Sequence, residues 1–221
     1  SSIKTNGGKI TLEAKGPYGA TTGLPFGNVN TNGTLDAGTG EIDVDANGDA
    51  NLGGTIKAGL LNVNTNGNTD LKGSIITTDN ITVEAKKDVT VSGKVNSQGN
   101  AITLTALGTS PNKVLGYEIP TGSITIANNA WLKSGGGLIT LNAEGAAVPL
   151  ADLDFLGGVD TSGLNFLNLN FGNVFINGTG YVDAEGGSID VNNNGILQAA
   201  ANSIRTSGSG MINLEQKSGI G

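Results

Sequence analysis

The fold can be read from residues 54–67, which run Gly-Thr-Ile-Lys-Ala-Gly-Leu-Leu-Asn-Val-Asn-Thr-Asn-Gly. A short strand around Ile56 ends in a glycine turn, and a second strand follows in which Leu61 and Val63 alternate with polar residues. Apolar and polar residues that alternate with a period of two indicate a strand with one buried face. The stretch therefore predicts two strands joined by a tight turn.

The same two-part unit recurs along the chain. The first strands centre on Ile3, Leu35, Ile56, Ile75, Val95, Leu132, Val159, Val182 and Ile204, and the second strands carry the pairs Ile10/Leu12, Ile42/Val44, Leu61/Val63, Ile81/Val83, Ile102/Leu104, Ile139/Leu141, Ile189/Val191 and Ile212/Leu214. A third, weaker strand fits residues 49–52, 68–71, 88–91 and 174–176. Successive units lie 21, 19 and 20 residues apart between Leu35 and Val95. That period is too short for the α-solenoid repeats, which need about 33 residues or more.

Three strands per unit predict one coil of a right-handed parallel β-helix, a β-solenoid that forms a single domain over residues 1–221. We expect about ten coils, and a rod about 50 Å long at about 4.8 Å per coil. The named Ile, Val and Leu residues are predicted to be buried inside the rod. Six outward neighbours are predicted to be exposed: Thr11, Asp43, Asn62, Thr82, Thr103 and Asp190.

Three segments break the period, at about residues 16–27, 107–122 and 145–157. They contain all five prolines, Pro17, Pro25, Pro111, Pro120 and Pro149. Because proline cannot donate a hydrogen bond to a β-ladder, the segments are predicted to be loops that project from the rod. Residues 148–156 in the third loop are predicted to form a short helix or a hydrophobic flap. The loop aromatics Tyr18, Phe26, Tyr117 and Phe155 are candidates for recognition, since binding residues concentrate on loops held by a rigid scaffold.

Composition excludes several classes of protein. The formal net charge is −7, the sequence has no histidine, and Arg205 is its single arginine, which argues against binding to nucleic acid phosphates. The longest apolar runs fall well short of a transmembrane segment. There is no cysteine and therefore no disulfide framework. The chain starts with Ser-Ser, which favours a mature or excised segment.

One segment resembles the start of a calcium-binding loop. Asp43, Asp45, Asn47 and Asp49 are spaced as alternate oxygen donors, and Gly48 permits a sharp turn. However, Gly54 stands at the twelfth position, where such a loop needs a bidentate glutamate. We therefore favour a solvated strand followed by an Asn-Gly turn, with calcium as the alternative and no other cofactor.

Parallel β-helices include polysaccharide lyases, which commonly need a cationic base, and hydrolases, which need a pair of carboxylates at a defined separation. In the predicted register Asp43 and Asp45 stack on Asn62 and Asn64, which in turn stack on Thr82 and Glu84. No carboxylate is therefore expected to meet another from an adjacent coil. The remaining pair, Asp152 and Asp154, lies in the third loop. We expect no catalytic residues.

Another repeated element is the run at residues 28–33, which recurs at residues 62–67 as Asn-Val-Asn-Thr-Asn-Gly. It is either an ordered hydrogen-bonding surface or simply outward residues that precede an Asn-Gly turn, and the turn reading is favoured.

Residues 54–59 and 100–106 have the forms Gly-x-Ile-x-Ala-Gly and Asn-x-Ile-x-Leu-x-Ala. These paired runs resemble the filamentous haemagglutinin-like repeats of two-partner-secreted bacterial exoproteins. That family also has a secretion domain with Asn-Pro-Asn motifs, and the nearest string here, Ser110-Pro111-Asn112-Lys113, does not match. The resemblance implies the stem of a secreted or cell-surface bacterial protein.

Such a stem implies a structural or adhesive stalk whose partner is a glycan or protein on a host or neighbouring cell. Two alternatives stay open. One is an extracellular filament subunit that associates end to end, and the other is a β-helix that binds or cleaves polysaccharide. The repetitive coils favour the stalk over both.

Overall fold

The computed structural model describes residues 1–16, 27–109, 112–114, 117–119, 121–149 and 168–217. In these residues the regular secondary structure consists of strands, with no helix. Most of the strands belong to three parallel sheets, in which each strand pairs with its equivalents in the preceding and following coils. The predicted parallel β-helix is thereby confirmed, while its right-handed sense stays a prediction.

The first sheet is built from the strand at the start of each unit. Its members, in spatial order, are β1 (Ser2–Lys4), β4 (Thr34–Asp36), β7 (Thr55–Ala58), β10 (Ser74–Thr77), β13 (Lys94–Asn96), β18 (Trp131–Lys133), β23 (Tyr181–Asp183) and β26 (Ile204–Arg205). Each central aliphatic residue pairs with the next, for example Ile56 with Ile75 and Ile75 with Val95. This sheet therefore forms the first aliphatic ladder of the core.

The second sheet contains the longest strands. Its members are β2 (Ile10–Ala14), β5 (Ile42–Ala46), β8 (Leu61–Thr65), β11 (Ile81–Ala85), β14 (Ile102–Ala106), β19 (Ile139–Ala143), β24 (Ile189–Asn193) and β27 (Ile212–Gln216). Five residues place three side chains inside the rod, and the last of these is small in most coils. Ala46, Ala85 and Ala106 are buried there, where the chain turns into the third sheet.

The third sheet contains β3 (Val29–Thr31), β6 (Ala50–Leu52), β9 (Thr69–Leu71), β12 (Val89–Val91), β17 (Ile124–Ile126), β22 (Val174–Ile176) and β25 (Leu197–Ala199). Four of these strands match the weaker strand predicted from sequence. Strands β3, β17 and β25 were not predicted. Two of these three follow a long insertion, where the period of about 20 residues is lost.

The described residues form eight coils, because two sheets have eight strands each. Seven steps of about 4.8 Å give a stack about 34 Å long, so the expected ten coils and 50 Å are too large. One of the extra coils is the unit that was assigned to Val159. Leu132 pairs directly with Val182, so their two strands are neighbours in the first sheet, and Val159 lies outside the described residues.

Burial agrees with the predicted register except at the two ends. The named aliphatic residues of the middle coils are buried, and many, such as Ile56 and Leu104, are 0% exposed. Ile3, Ile212 and Leu214 are 48%, 41% and 57% exposed, while Leu12 and Ile204 are partly buried. The terminal residues are exposed because no further coil of the described chain covers them.

The outward residues are less exposed than predicted. Thr11 and Thr82 are exposed, whereas Asp43, Asn62, Thr103 and Asp190 are half-buried. Outward side chains of successive coils lie one strand spacing apart and shield one another. Hydrogen bonds strengthen this contact, as between Asn62 Nδ2 and Asp43 Oδ1 at 3.2 Å.

Candidate functional site

The corner between the second and third sheets is where the coils differ most. In the coils without insertions, this connection is three residues long, at 47–49, 66–68, 86–88 and 194–196. In three other coils it spans 15–28, 107–123 and 144–173. All three segments that were predicted as loops therefore leave the rod at one corner, and two of them come from adjacent coils. We call this edge of the rod the insertion corner.

The second and third insertions contain antiparallel hairpins. In the second, β15 (Asn112–Val114) pairs with β16 (Tyr117–Ile119). In the third, β20 (Ala147–Pro149) pairs with β21 (Asn168–Asn170). The third insertion is thus longer than the predicted 145–157, and residues 148 and 149 are in a strand rather than in a helix. Residues 150–156 of that prediction lie outside the described chain.

Glycine allows the roots of these two hairpins to pack backbone against backbone. A Cβ atom on Gly122 would lie 2.7 Å from the backbone nitrogens of both Gly108 and Gly145. A Cβ atom on Gly145 would overlap the carbonyl oxygen of Thr121. The amide of Gly172 donates to that same oxygen at 2.6 Å. The two insertions are therefore joined at their base by contacts that larger residues would prevent.

A ladder of hydrogen bonds runs along the insertion corner, just before each strand of the third sheet. A side-chain oxygen in one coil accepts from the backbone amide of the next coil, as in Asn28 to Asp49 (2.8 Å), Asp49 to Asn68 (2.7 Å), Asn68 to Asp88 (3.2 Å), Asp88 to Ser123 (2.7 Å), Ser123 to Asn173 (3.2 Å) and Asn173 to Ile196 (2.7 Å). We call this series the corner ladder. It continues across the roots of both hairpins.

Three of the four candidate calcium residues, Asp43, Asn47 and Asp49, make contacts between coils. Asp43 is ion-paired with Lys9, which holds the pKa of the Asp43 carboxyl below its ordinary value. Asn47 Oδ1 accepts from Asn66 at 3.4 Å, and Asp49 belongs to the corner ladder. No group of three or more acidic, histidine or cysteine side chains in the described ranges is arranged to hold a metal ion. The preference for a solvated strand and turn stays a prediction.

The stacking of carboxylates differs from the expectation at one point. Asp43 and Asp45 do pair with Asn62 and Asn64 on one side. On the other side, however, Asp45 pairs in register with Glu13, so two carboxylates from adjacent coils do meet. The expectation was wrong because it followed the register in one direction only.

The Glu13–Asp45 pair lies on an open surface. Lys15 forms an ion pair with Glu13, which raises the pKa of the Lys15 ammonium group. Glu13 and Asp45 line a shallow groove of about 490 Å³ on the outer face of the second sheet, together with Asn64 and Glu84. An open, solvated groove offers no desolvated pocket for acid–base chemistry. The other proposed pair, Asp152 and Asp154, lies outside the described residues.

The remaining candidates from the sequence are the four loop aromatics and the repeated Asn-Val-Asn-Thr-Asn-Gly run. Tyr18, Phe26 and Phe155 lie outside the described residues, and Tyr117 lies in β16. The two copies of Asn-Val-Asn-Thr-Asn-Gly are not equivalent, because residues 29–31 form a strand of the third sheet while residues 61–65 form one of the second. Identical sequence therefore occupies different faces, and the two copies do not make one continuous surface.

A cluster that the sequence analysis missed lies on the outer face of the first sheet. Trp131 and Tyr181 are register partners, and their rings stack with centroids 6.3 Å apart and planes inclined by 14°. Lys133 Nζ lies 5.7 Å and 5.9 Å from the two ring centroids, and the Arg205 guanidinium lies 4.1 Å from that of Tyr181. Aligning the first strands by register would have revealed it, because serine or threonine stands at this position in most other coils.

The comparisons with known proteins give no identification. No protein-family model matches the chain, and neither a curated protein nor a solved structure matches it. The resemblance to filamentous haemagglutinin-like repeats is therefore a hypothesis that rests on the quoted motifs. Among the described residues, no helix is long and apolar enough to cross a membrane.

Proposed function

We propose that this chain is a structural and adhesive stalk segment of a secreted or cell-surface bacterial protein. The observation that carries the proposal is the placement of all three insertions at the insertion corner. A rod of stacked coils gives a rigid support, and loops on a rigid support are where recognition is usually found. Because the two hairpins share a glycine-packed base, they leave the rod side by side, from neighbouring coils.

The experiment replaces the insertions with the short turn of an ordinary coil. In the test variant, residues 107–123 and 144–173 are each replaced by Asn-Gly-Asn, the sequence of residues 66–68. Each replacement keeps an asparagine at its third position, so the corner ladder remains continuous. We expect the variant to keep its β-sheet circular dichroism spectrum, because the three sheets do not depend on the hairpins.

Adhesion is measured with beads that carry the native chain or the variant at equal density. The beads are passed under shear over cultured epithelial cells and over a bacterial lawn. We expect the native chain to hold beads on at least one of these surfaces and the variant to lose most of that retention. If the variant holds as many beads as the native chain, the hairpins are not the adhesive part. If the native chain holds none, the adhesive role is wrong.

A second candidate is a filament in which copies of the chain stack end to end. The exposed aliphatic residues Ile3, Ile212 and Leu214 at the two ends favour it, since an open sheet edge invites pairing. Stacking in the native register, however, places Glu215 opposite Glu13. Like charges that lie directly opposite on adjacent strands are destabilising.

We therefore place the filament second to the stalk. Sedimentation over a range of protein concentrations tests it, with Glu215→Lys as the informative variant. If the native chain is a monomer and the variant associates, charge opposes stacking. A concentration-dependent polymer of the native chain would instead support the filament.

A further inference from the structure

The aromatic cluster on the first sheet interrupts an otherwise hydroxyl-rich row. At the outward position before each ladder residue, the early coils carry Ser2, Thr34, Thr55 and Ser74, whereas the later coils carry Lys94, Trp131 and Tyr181. Both aromatic residues are half-buried rather than enclosed. Large aromatic side chains on an outward face of the rod contribute nothing to its core, so their stacking calls for another explanation.

Internal contacts account for Tyr181 but not for all of Trp131. Trp131 packs on Tyr181 from strand β18, and the Arg205 guanidinium packs on it from the opposite side, strand β26. Asp183 fixes this arginine at 2.8 Å. The other neighbour of Trp131 is Lys94 on β13. Within the described coils, no aromatic ring packs on Trp131 from the β13 side.

The cluster has a small excess of positive charge. It contains three cations, Lys94, Lys133 and Arg205, and two carboxylates, Asp183 and Glu185. Lys133 and Arg205 are held by the two carboxylates at 2.9 Å and 2.8 Å. Lys94 is exposed and makes no ion pair within 4.0 Å to a described carboxylate. The cluster is therefore locally cationic on a chain whose net charge is −7.

We propose that Trp131 and Lys94 form a subsite for an acidic sugar of a polysaccharide. The apolar C–H face of a pyranose ring packs on the β13 side of the indole, in the way that aromatic residues offer a flat apolar surface with a polar rim. The Lys94 ammonium group pairs with the carboxylate of the sugar. Tyr181 stacks on the indole and is itself held by Arg205. The indole is therefore fixed in place before the sugar binds, which lowers the entropy cost of ordering this side chain on binding.

The experiment uses the fluorescence of Trp131, which is the single tryptophan of the chain and reports directly on the subsite. The native chain is titrated with hexagalacturonate as the acidic probe and with cellohexaose as the neutral probe. We expect hexagalacturonate to change the emission in a saturable manner, and cellohexaose to bind several-fold more weakly. Raising the salt concentration from about 0.05 M to about 0.5 M is expected to narrow this difference, because salt screens exposed charges.

Variants separate the two parts of the subsite. Lys94→Ala is expected to weaken hexagalacturonate binding about fivefold, which corresponds to about 1 kcal/mol for an exposed ion pair, and to leave cellohexaose binding unchanged. Lys57→Ala removes an exposed lysine from the same sheet, two coils away from Lys94, and it is the matched control with no expected effect. Trp131→Leu is expected to abolish binding of both probes in ligand-observed NMR, with thermal melting as the check on folding.

Several results would overturn the subsite. These are an emission that neither probe changes, equal affinity for the two probes, an equal loss in Lys94→Ala and Lys57→Ala, or binding that survives in a folded Trp131→Leu variant. The inference extends the proposed adhesive stalk, but the two are separable. Loss of bead retention without the hairpins tests the stalk, whereas sugar binding by the hairpin-free rod tests the subsite alone.

Discussion

The corner ladder makes a prediction about how the coils are held together, and Asp49→Ala tests it. The Asp49 carboxylate accepts from the backbone amide of Asn68 at 2.7 Å and from its side-chain amide at 3.3 Å. Alanine removes both bonds and leaves the backbone amide of Asn68 without its acceptor. Because Asn68 is half-buried, water can compensate in part.

We therefore expect a loss of about 1.5–2 kcal/mol, in the lower half of the range for a hydrogen bond to a charged group. Asp49→Asn is the matched control, because asparagine already fills the same ladder position at residues 28, 68 and 173. This variant keeps an acceptor and is expected to change stability by less than about 0.5 kcal/mol.

Urea unfolding at 25 °C gives the change in stability, and hydrogen exchange gives its location. Repeat proteins can unfold in parts, so faster exchange at the Asn68 amide in Asp49→Ala is the decisive local signal. Equal stability of Asp49→Ala and the native chain would refute a structural role for the ladder. Equal destabilisation by Asp49→Asn would show that the charge of Asp49 matters rather than its acceptor.

Three further predictions concern the core, the insertion corner and an ion pair. Ile102→Ala, at a side chain that is 0% exposed, should cost about 2–5 kcal/mol in urea unfolding; a cost below about 1 kcal/mol would contradict the core. Gly145→Ala should disrupt the hairpin base and lower the melting temperature, while Gly8→Ala, whose Cβ would lie 3.5 Å from the nearest atom, should not; similar melting of both would reject the close packing. Lys9 lowers the pKa of the Asp43 carboxyl in the folded protein. The ion pair therefore stabilises the fold above about pH 4, the pKa of an aspartate in the unfolded chain, and this stabilisation is lost as the pH falls through the lower pKa of Asp43 in the folded protein. The difference in melting temperature between the native chain and Lys9→Ala should therefore shrink below pH 4, and a constant difference would rule the pair out.

Some of the fold could be predicted because its signal is local and repeats. Ile56 and Leu61 stand in strands that the alternation of apolar and polar residues identifies, and stacking them needed only the distance to the next unit. Alanine recurs at the end of several second strands, as at Ala85, and that position lies where the chain turns into the third sheet. Strand β17 was missed: it follows an insertion, so its distance from the preceding coil does not give its register, although β22, which also follows an insertion, was predicted.

The candidate sites were harder to predict. The calcium-like run at Asp43 matches a pattern of residue types, but in the fold the side-chain oxygens of Asp43, Asn47 and Asp49 contact neighbouring coils. The pairing of Glu13 with Asp45 follows from the register of the second sheet. It is found only when the register is followed back from β5 to β2, the strand of the first coil. The stack of Trp131 on Tyr181 joins residues 50 positions apart in sequence, and the insertion between them conceals their equivalence.

The sequence by itself determined the class of fold, the inward and outward faces of most strands, and the exclusion of proline from the coils. These three features follow from two periods, of two residues within each strand and of about 20 residues between coils. Both periods can be recognised in short stretches of the sequence. Only the tertiary structure decided the number of coils, the single corner shared by the insertions, and the contacts of the aromatic cluster. Those features depend on which coils are neighbours. Two coils become neighbours when their strands pair in the three sheets, and this pairing does not depend on how many residues of an insertion separate them in the sequence.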